Sequence, residues 1–127
     1  GGHAMTISVL AIDDSRTMRM LVSQTLTDAG FEVVTADDGV LGVEAFGTRR
    51  FDAVITDINM PNLDGFGVIE AIRKSPKNRR VPILVLTTES SEEFRNRARG
   101  LGATGWLVKP FDDQGLINTV RLVTGQG

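Results

Sequence analysis

The sequence contains no cysteine, and its only histidine is His3. Without cysteine the chain has no disulfide, no thiolate nucleophile and no cysteine-ligated zinc. His3 lies within residues 1–4 (GGHA), a segment typical of a cloning-tag remnant, and we expect the native chain to begin at Met5. The folded part would then contain no histidine, which excludes His-based general-base triads and phosphohistidine. Any chemistry falls to aspartate, glutamate, lysine, serine and threonine side chains.

A strong charge of either sign and a long apolar run are also missing. The net charge at pH 7 is −2, which does not direct the chain to nucleic acid. No apolar run approaches the ~18 residues needed to cross a membrane, and no secretory signal follows Met5. We therefore expect a cytoplasmic monomer with no membrane or nucleic-acid partner. The 127 residues suffice for about one domain, which we place at 5–125 with no output domain attached.

Five short apolar segments alternate with five longer segments of helical periodicity. Each apolar segment has the length of a strand, and most are apolar throughout, as expected of strands that are buried on both faces. Some alternation in the second segment favours an edge position. Alternating strands and helices with short connections predict an α/β fold, a doubly wound five-stranded parallel sheet flanked by five helices. The predicted strands are 7–12, 31–36, 53–55, 82–87 and 104–108.

The helical segments differ in their apolar content. The fourth begins at Ser90, which together with Glu93 predicts a capping box, and it ends at Gly102. Its apolar residues are sparse among charged ones, so little buried area would hold it, and we regard it as a candidate for movement. The first helix, in contrast, is expected to bury one full face. That face consists of Met18, Leu21, Val22, Thr25, Leu26 and Ala29.

Polar groups follow four of the predicted strands, at the point where each strand ends. Asp13 and Asp14 follow the first strand, Asp57 follows the third, and Thr87 and Lys109 close the fourth and fifth. Each has an ordinary explanation taken alone, since aspartates start turns, threonines end strands and lysines are solvated. Because the carboxyl ends of parallel strands share one edge of a sheet, the predicted fold would bring all five residues together. We interpret them as one site.

The predicted site combines three carboxylates, which repel each other, and burial would raise the pKa of at least one of them. A bound cation relieves the repulsion, and oxygen ligands without histidine or cysteine favour Mg²⁺. The loop after Asp57 has a backbone carbonyl to add, while Lys109 and Thr87 would supply a positive charge and a hydroxyl donor. These groups suit phosphoryl transfer, in which positioning and charge stabilisation dominate. With no base near a serine or threonine, a carboxylate is the expected nucleophile and would form an aspartyl phosphate.

The sequence resembles the receiver domains of two-component response regulators over residues 5–122. Within that family it is most similar to the stand-alone chemotaxis regulators of the CheY type. The resemblance implies the flavodoxin/CheY-like strand order 2-1-3-4-5 and a bacterial phosphorylation switch rather than an enzyme. The residues that carry the resemblance are Asp13-Asp14, Asp57, Met60-Pro61, Asp64-Gly65, Thr87 and Lys109-Pro110-Phe111.

The resemblance also implies a role for each residue of the acceptor site. Asp57 would accept a phosphoryl group from a phosphohistidine on a sensor histidine kinase, and Lys109 would pair with the phosphoryl oxygens. Asp13 and Asp14, one of them through water, would bind Mg²⁺ together with Asp57 and the backbone carbonyl of Asn59.

A second set of residues is implied to read out and reset the switch. Thr87 would turn its hydroxyl to the phosphate, and Trp106, where the family usually has tyrosine or a smaller group, would move inward. The Lys109–Pro110 peptide bond is implied to be cis. Asn59 and Glu89 would flank the water that attacks the phosphoryl group and would accompany rapid self-dephosphorylation.

The target surface is expected on the face formed by the fourth helix, the fifth strand and the fifth helix. We predict that a protein partner contacts Arg95, Arg99 and Trp106, although both arginines are equally well explained as solvating an exposed helix. The flagellar motor switch is the expected target. A phosphate sink, a regulator acting on another kinase pathway, and a phosphate-independent scaffold remain alternatives.

Two other protein classes share parts of this pattern. A haloacid-dehalogenase-type phosphatase needs a second aspartate two residues after its nucleophile, where this chain has Asn59, and usually a cap domain. A flavodoxin would share the topology, but the acidic loop that begins at Asp13 is unfavourable for a flavin phosphate. A degenerate receiver used as a scaffold typically loses an acidic residue or the lysine, and this chain retains them.

Overall fold

A computed structural model of the chain describes residues 6–125, so the expected tag remnant and the start at Met5 lie outside the described residues. Within this range, no helix is long and apolar enough to cross a membrane. The strands are β1 (Ser8–Ile12), β2 (Glu32–Ala36), β3 (Ala53–Thr56), β4 (Ile83–Thr87) and β5 (Gly105–Val108). The helices are α1 (Arg16–Asp28), α2 (Gly39–Phe46), α3 (Gly65–Arg73), α4 (Glu92–Leu101) and α5 (Asp113–Val123).

The five strands form one parallel sheet in the order β2-β1-β3-β4-β5, which confirms the predicted fold, the strand order and the edge position of β2. Every residue of the three central strands β1, β3 and β4 is buried. Helices α2, α3 and α4 contribute to the core on one face of the sheet, and α1 and α5 to the core on the other. Covering on both faces explains why these strands read as continuous apolar runs.

The register of the sheet aligns the carboxyl ends of the strands. Ile12 pairs with Thr56 across β1 and β3, and Thr87 pairs with Val108 across β4 and β5. The amide of the residue after β3 donates to the Ile12 carbonyl at 3.0 Å, and the amide of the residue after β5 donates to the Thr87 carbonyl at 2.8 Å. The residues leaving the strands therefore start their loops at the same edge.

The buried face of α1 is narrower than its periodicity predicts. Val22 and Leu26 are buried, but Leu21 is 48% exposed, so its assignment to the core is wrong. The remaining predicted face residues, Met18, Thr25 and Ala29, are only half-buried. The helix contacts the sheet along the Val22–Leu26 stripe, and Leu21, one position before that stripe, lies on its solvent flank.

Helix α4 begins one residue later than the sequence predicts. Ser91, not Ser90, is the N-cap, and its hydroxyl accepts from the Phe94 amide at 3.2 Å, so the predicted Ser90 capping box is wrong. The helix ends at Gly102, whose φ of 110° lies in the left-handed region, as predicted. Only Ala98 of α4 is buried, which agrees with the sparse apolar content of its sequence.

Arg73, at the end of α3, joins three backbone segments. Its guanidinium donates to the Gly102 carbonyl at 3.0 and 2.8 Å and to the carbonyls of Arg79 and Val81 at 2.6 Å each.

We expect Arg73→Met to lower the free energy of unfolding by about 2–3 kcal/mol, since these carbonyls lose a charged donor. Arg73→Lys should recover little of the lost unfolding free energy, because a lysine ammonium lacks the planar set of donors by which the guanidinium reaches several carbonyls at once. Urea unfolding measures both values, and a loss within about 0.5 kcal/mol would contradict the expectation.

Candidate functional site

Lys109, which follows β5, lies between carboxylates that follow β1 and β3. Its Nζ is 2.8 Å from Asp13 Oδ2 and 2.6 Å from Asp57 Oδ2. All three side chains are about nine-tenths buried, with exposed fractions of 10%, 8% and 10% for Lys109, Asp13 and Asp57. The structure thus brings together groups that are 96 and 52 residues apart in the sequence, as the strand order requires.

Asp14 adds a third carboxylate to this pair. Oxygen atoms of Asp13, Asp14 and Asp57 all lie within 4.8 Å of one another, and Asp14 is exposed. Backbone amides orient the two buried members: the Ser15 amide donates to Asp13 Oδ1 at 2.9 Å, and the Ile58 amide donates to Asp57 Oδ1 at 2.6 Å. The acidic cluster is therefore held open towards solvent on the side of Asp14.

Burial and hydrogen bonding act in opposite directions on the pKa values of Asp13 and Lys109, two groups of the site whose pKa differs from its ordinary value. Burial raises the pKa of Asp13 above 3.8, and hydrogen bonds from Lys109 and the Ser15 amide only partly offset this. Burial acts to lower the pKa of Lys109, but the hydrogen bonds to Asp13 and Asp57 together outweigh it, so that the pKa is raised above 10.5. The sequence predicts a raised carboxyl pKa for at least one aspartate, and burial raises the pKa of Asp13 in this way.

The raised pKa of Asp13 predicts a pH dependence of stability in the metal-free protein. Since the folded state binds this proton more tightly than the unfolded state, the contribution is fully present below pH 3.8 and is lost as pH rises through the folded pKa. Asp13→Asn should flatten the plot of unfolding free energy against pH over that window, measured by urea unfolding in EDTA. Asp28→Asn, an exposed change on α1, is the control, and equal slopes for parent and Asp13→Asn would contradict the assignment.

The donor set of the acidic cluster fits a hard divalent cation. Its ligands are carboxylate oxygens with no nitrogen or sulfur donor among them, which is the chemistry that Mg²⁺ prefers over zinc or copper. The cluster also contains more negative charge than the single Lys109 offsets. A cation bound at the exposed side, near Asp14, would offset the remaining negative charge.

Glu89 connects the other predicted switch residues. Its amide donates to Thr87 Oγ1 at 3.3 Å, and its carboxylate accepts from Asn59 Nδ2 at 3.2 Å. Its carbonyl accepts from Trp106 Nε1 at 3.1 Å. Thr87, the last residue of β4, is fully buried, while Trp106 is half-buried. The structure therefore places these four residues in one hydrogen-bonded chain, whereas the resemblance implies only two pairs, Asn59 with Glu89 and Thr87 with Trp106.

The predicted partner residues surround a groove of about 230 Å³ between α4 and β5. Arg95 and Arg99 are exposed and line this groove together with Trp106. The Arg95 guanidinium lies 6.0 Å from the centre of the Trp106 ring, at the outer limit of a cation–π contact. The three residues thus form one continuous surface.

Two residues that help to build the site are missed by the sequence interpretation. Arg19, on α1, donates from Nη1 to the Asp13 carbonyl at 2.7 Å and holds the loop after β1. At Gly65, recognised only as part of a motif, a Cβ atom would lie 2.1 Å from the Asp57 carbonyl oxygen. A glycine is therefore required for α3 to pass so close to Asp57. Neither contact has a signal in the sequence, because both depend on packing between distant segments.

Comparison with known proteins identifies relatives of the whole domain. The family described as response regulator receiver domain matches residues 9–121. The probable chemotaxis protein CheY of Rhizobium etli is 36% identical over 123 residues, which cover 96% of this chain and 95% of the relative. The chemotaxis protein CheY of Pseudomonas aeruginosa is 33% identical over 118 residues, covering 92% of this chain and 95% of the relative.

Solved structures show the same similarity in three dimensions. The chemotaxis response regulator CheY4 of Vibrio cholerae, crystallised at low pH, has a TM-score of 0.90 at 45% identity and covers 94% of this chain and 99% of its own. The receiver domain of a Pseudomonas aeruginosa sensor histidine kinase, described with a magnesium ion in its active-site cleft, has a TM-score of 0.88 at 27% identity. It covers 95% of this chain and 99% of its own.

Proposed function

The chain belongs to the response regulator receiver domain family, and on this premise we propose that Asp57 is its phosphoacceptor. Receiver domains are phosphorylation-dependent signalling switches, not enzymes in the ordinary sense, and they bind Mg²⁺ at an acidic pocket. The observation that carries the proposal is the buried Asp57 carboxylate, held 2.6 Å from Lys109 Nζ beside two further carboxylates.

In the proposed reaction, an Asp57 carboxylate oxygen attacks the phosphorus of a phosphohistidine on a sensor histidine kinase. An O–P bond forms as the P–N bond breaks, and the imidazole leaves with the electron pair. Lys109, already beside Asp57, pairs with the phosphoryl oxygens and offsets their charge. Asp13, Asp14, Asp57 and the backbone carbonyl of Asn59 would hold Mg²⁺, which when bound supplies positive charge to the carboxylates and the phosphoryl oxygens.

The proposed switch acts through Thr87 and Glu89. A phosphoryl group on Asp57 adds negative charge and acceptor oxygens. In the structure the Thr87 hydroxyl accepts from the Glu89 amide, and the phosphoryl group would draw this hydroxyl away from that amide. Because the Glu89 carbonyl also binds Trp106, displacement of this loop changes the position of the indole and the start of α4. The weak burial of α4 supports this step, since little packing opposes its movement.

The proposed partners follow from the relatives and from the surface beside the switch. We propose a chemotaxis histidine kinase as phosphodonor and the flagellar motor switch as target, and the chemotaxis proteins of the CheY type among the relatives support a role in chemotaxis. We place the target contact at Arg95, Arg99 and Trp106, and we propose that the protein acts as a cytoplasmic monomer. Lys109 contacts both Asp13 and Asp57, so the residues that a degenerate receiver typically loses are present and in place. Their presence supports a phosphorylated switch over a phosphate-independent scaffold.

We also propose that Asn59 and Glu89 set the lifetime of the phosphorylated state. Their side chains are joined by a hydrogen bond of 3.2 Å, and Asn59 lies two residues after Asp57. We propose that they flank a water that attacks the phosphoryl group, since both carry polar groups that can orient it.

Trp106 fluorescence tests the proposed function, because Trp106 is the only tryptophan of the chain. Mg²⁺ is added first and beryllofluoride, which mimics a phosphoryl group, second. We expect the emission to change on each addition, since the indole is bonded to the loop that the phosphoryl group displaces. The beryllofluoride response should require Mg²⁺.

Asp57→Asn is the control for this titration. It removes one charge but preserves the size of the side chain, and the variant should keep a tryptophan signal that no longer responds to beryllofluoride. A parent protein without any response, or a variant that responds equally, would refute the assignment of Asp57.

A further inference from the structure

Six exposed cations lie at the amino edge of the sheet, opposite the acidic cluster. They occupy two segments, 47–50 before β3 and 74–80 before β4, which are adjacent in the fold although about 25 residues apart in the sequence. Of the 14 basic residues in the chain, six belong to this small area, which we call the basic face. The basic face consists of Arg49, Arg50, Lys74, Lys77, Arg79 and Arg80.

Most of the positive charge on the basic face is not neutralised. Arg49 pairs with Glu32, and Lys74 pairs with the exposed Glu70 at 3.5 Å. The other four cations form no ion pair within residues 6–125. Asp52, the carboxylate nearest in sequence, accepts from the Ser8 amide at 2.8 Å. The face therefore has an excess of positive charge, although the whole chain is slightly negative.

The two segments enclose concave surface between them. One groove, of about 580 Å³, has apolar walls at Phe46 and Pro76 and cations at Arg49, Arg50 and Lys77. A second groove, of about 300 Å³, is more polar: it shares Arg50 with the first and is also lined by Arg80, Val123 and the carboxylate of Asp52. Concave surface flanked by cations therefore extends along this edge, which is the form of a recognition surface rather than of a single anion site.

Side chains hold the segment 74–80 in place. Arg73 donates to the carbonyls of Arg79 and Val81, each at 2.6 Å. Asn78, with a φ of 57°, donates from Nδ2 to the Phe51 carbonyl at 2.8 Å and so ties this segment to the start of β3. The backbone carrying the cations is thus ordered before any partner arrives, which lowers the entropic cost of binding.

We propose that the basic face is a docking surface for an acidic polypeptide segment with interspersed apolar residues. Guanidinium groups bind carboxylates in a bidentate manner, and the walls at Phe46, Pro76 and Val123 accept apolar side chains. The surface lies at the edge opposite the proposed phosphorylation site and is distinct from the α4–β5 groove. A second protein bound at the basic face would therefore cover neither the proposed phosphorylation site nor the α4–β5 groove.

A short acidic segment fits the charge distribution better than an extended polyanion does. Fields from surface charges fall off over a Debye length of about 8 Å at physiological ionic strength, so a short segment senses mainly the local cations. A membrane surface or a nucleic acid extends well beyond the face and meets the rest of a chain whose net charge is −2. The local excess therefore favours a compact acidic partner.

Fluorescence anisotropy of a labelled peptide of alternating glutamate and leucine tests this proposal with the full-length protein. We expect saturable binding that weakens with salt, and a loss of affinity of about tenfold or more in Arg79→Gln/Arg80→Gln. The matched control, Arg16→Gln/Arg97→Gln, removes the same charge from the start of α1 and from α4 and should bind within about twofold of the parent. Circular dichroism confirms the fold of each variant, and Arg79→Gln/Arg80→Gln should keep its Trp106 response to beryllofluoride.

Three probes separate the possible occupants of the basic face. A peptide in which lysine replaces glutamate should not bind, and vesicles containing phosphatidylglycerol and a thymidine oligonucleotide should bind more weakly than the acidic peptide. No binding of the acidic peptide, or equal losses in the two double variants, would overturn the proposal. Stronger binding of vesicles or oligonucleotide would also overturn it, in favour of a membrane or nucleic-acid surface.

Discussion

Asp57→Asn is expected to abolish phosphoryl transfer to this protein, by more than about 10³-fold. The amide is nearly the size of the carboxylate, so packing at the end of β3 is kept, but its oxygen is a far weaker nucleophile. Incubation with acetyl phosphate and Mg²⁺, followed by intact-mass analysis, should show one added phosphoryl group on the parent and none on the variant. We expect no phosphoryl group on the other carboxylates of the cluster, including Asp13, which also contacts Lys109 at 2.8 Å.

Asp52→Asn is the matched control for this experiment. Asp52 precedes the same strand at the opposite edge of the sheet, and an asparagine oxygen can still accept from the Ser8 amide. This variant should be phosphorylated as the parent is. Phosphorylation that persists in Asp57→Asn would assign the acceptor to another carboxylate.

Lys109→Met should produce a large loss of stability. Removing the ammonium leaves the buried carboxylates of Asp13 and Asp57 without their shared cation. Breaking a buried ion pair from one side costs about 3 kcal/mol or more in other proteins, and we expect a value near the lower end because Asp14 opens the cluster to water. Urea unfolding at neutral pH in EDTA measures the loss.

Magnesium distinguishes loss of charge from loss of packing in this variant. If unpaired carboxylates cause the instability, Mg²⁺ should raise the unfolding free energy of Lys109→Met more than that of the parent, by mass action on a more negative site. Lys74→Met is the control, because its ammonium is 74% exposed and pairs with Glu70 at 3.5 Å; it should change little. A Lys109→Met variant as stable as the parent in EDTA would show that the ion pairs are energetically neutral.

Some local predictions from the sequence are wrong, and each has a packing reason. Adjacent serines at 90 and 91 are equivalent caps by propensity, and only the path of the loop after Thr87 selects Ser91. Leu21 fits the periodicity of a buried face, but the sheet covers a stripe only wide enough for Val22 and Leu26. Periodicity indicates which side of a helix is apolar and not how much of that side is covered.

The fold and the members of the acidic site follow from the sequence itself. Apolar runs of strand length, each ending in a polar residue, require a covered parallel sheet whose carboxyl ends coincide. From that topology, Asp13, Asp57 and Lys109 must meet at one edge, and they do. These features are determined locally, because strand period, strand end and chain direction are all properties of short segments.

Only the tertiary structure decides the contacts between such segments. The hydrogen bonds that join Thr87, Asn59 and Trp106 through Glu89 need the loops after β3 and β4 and the strand β5 at fixed distances. The approach of Gly65 to Asp57 needs α3 packed against the end of β3. The basic face likewise forms from two segments that are distant in the sequence and adjacent in the fold. The net charge of −2 gives no indication of this local excess of positive charge. A sequence specifies which groups are present at each strand end, whereas their distances depend on how all five helices pack on the sheet.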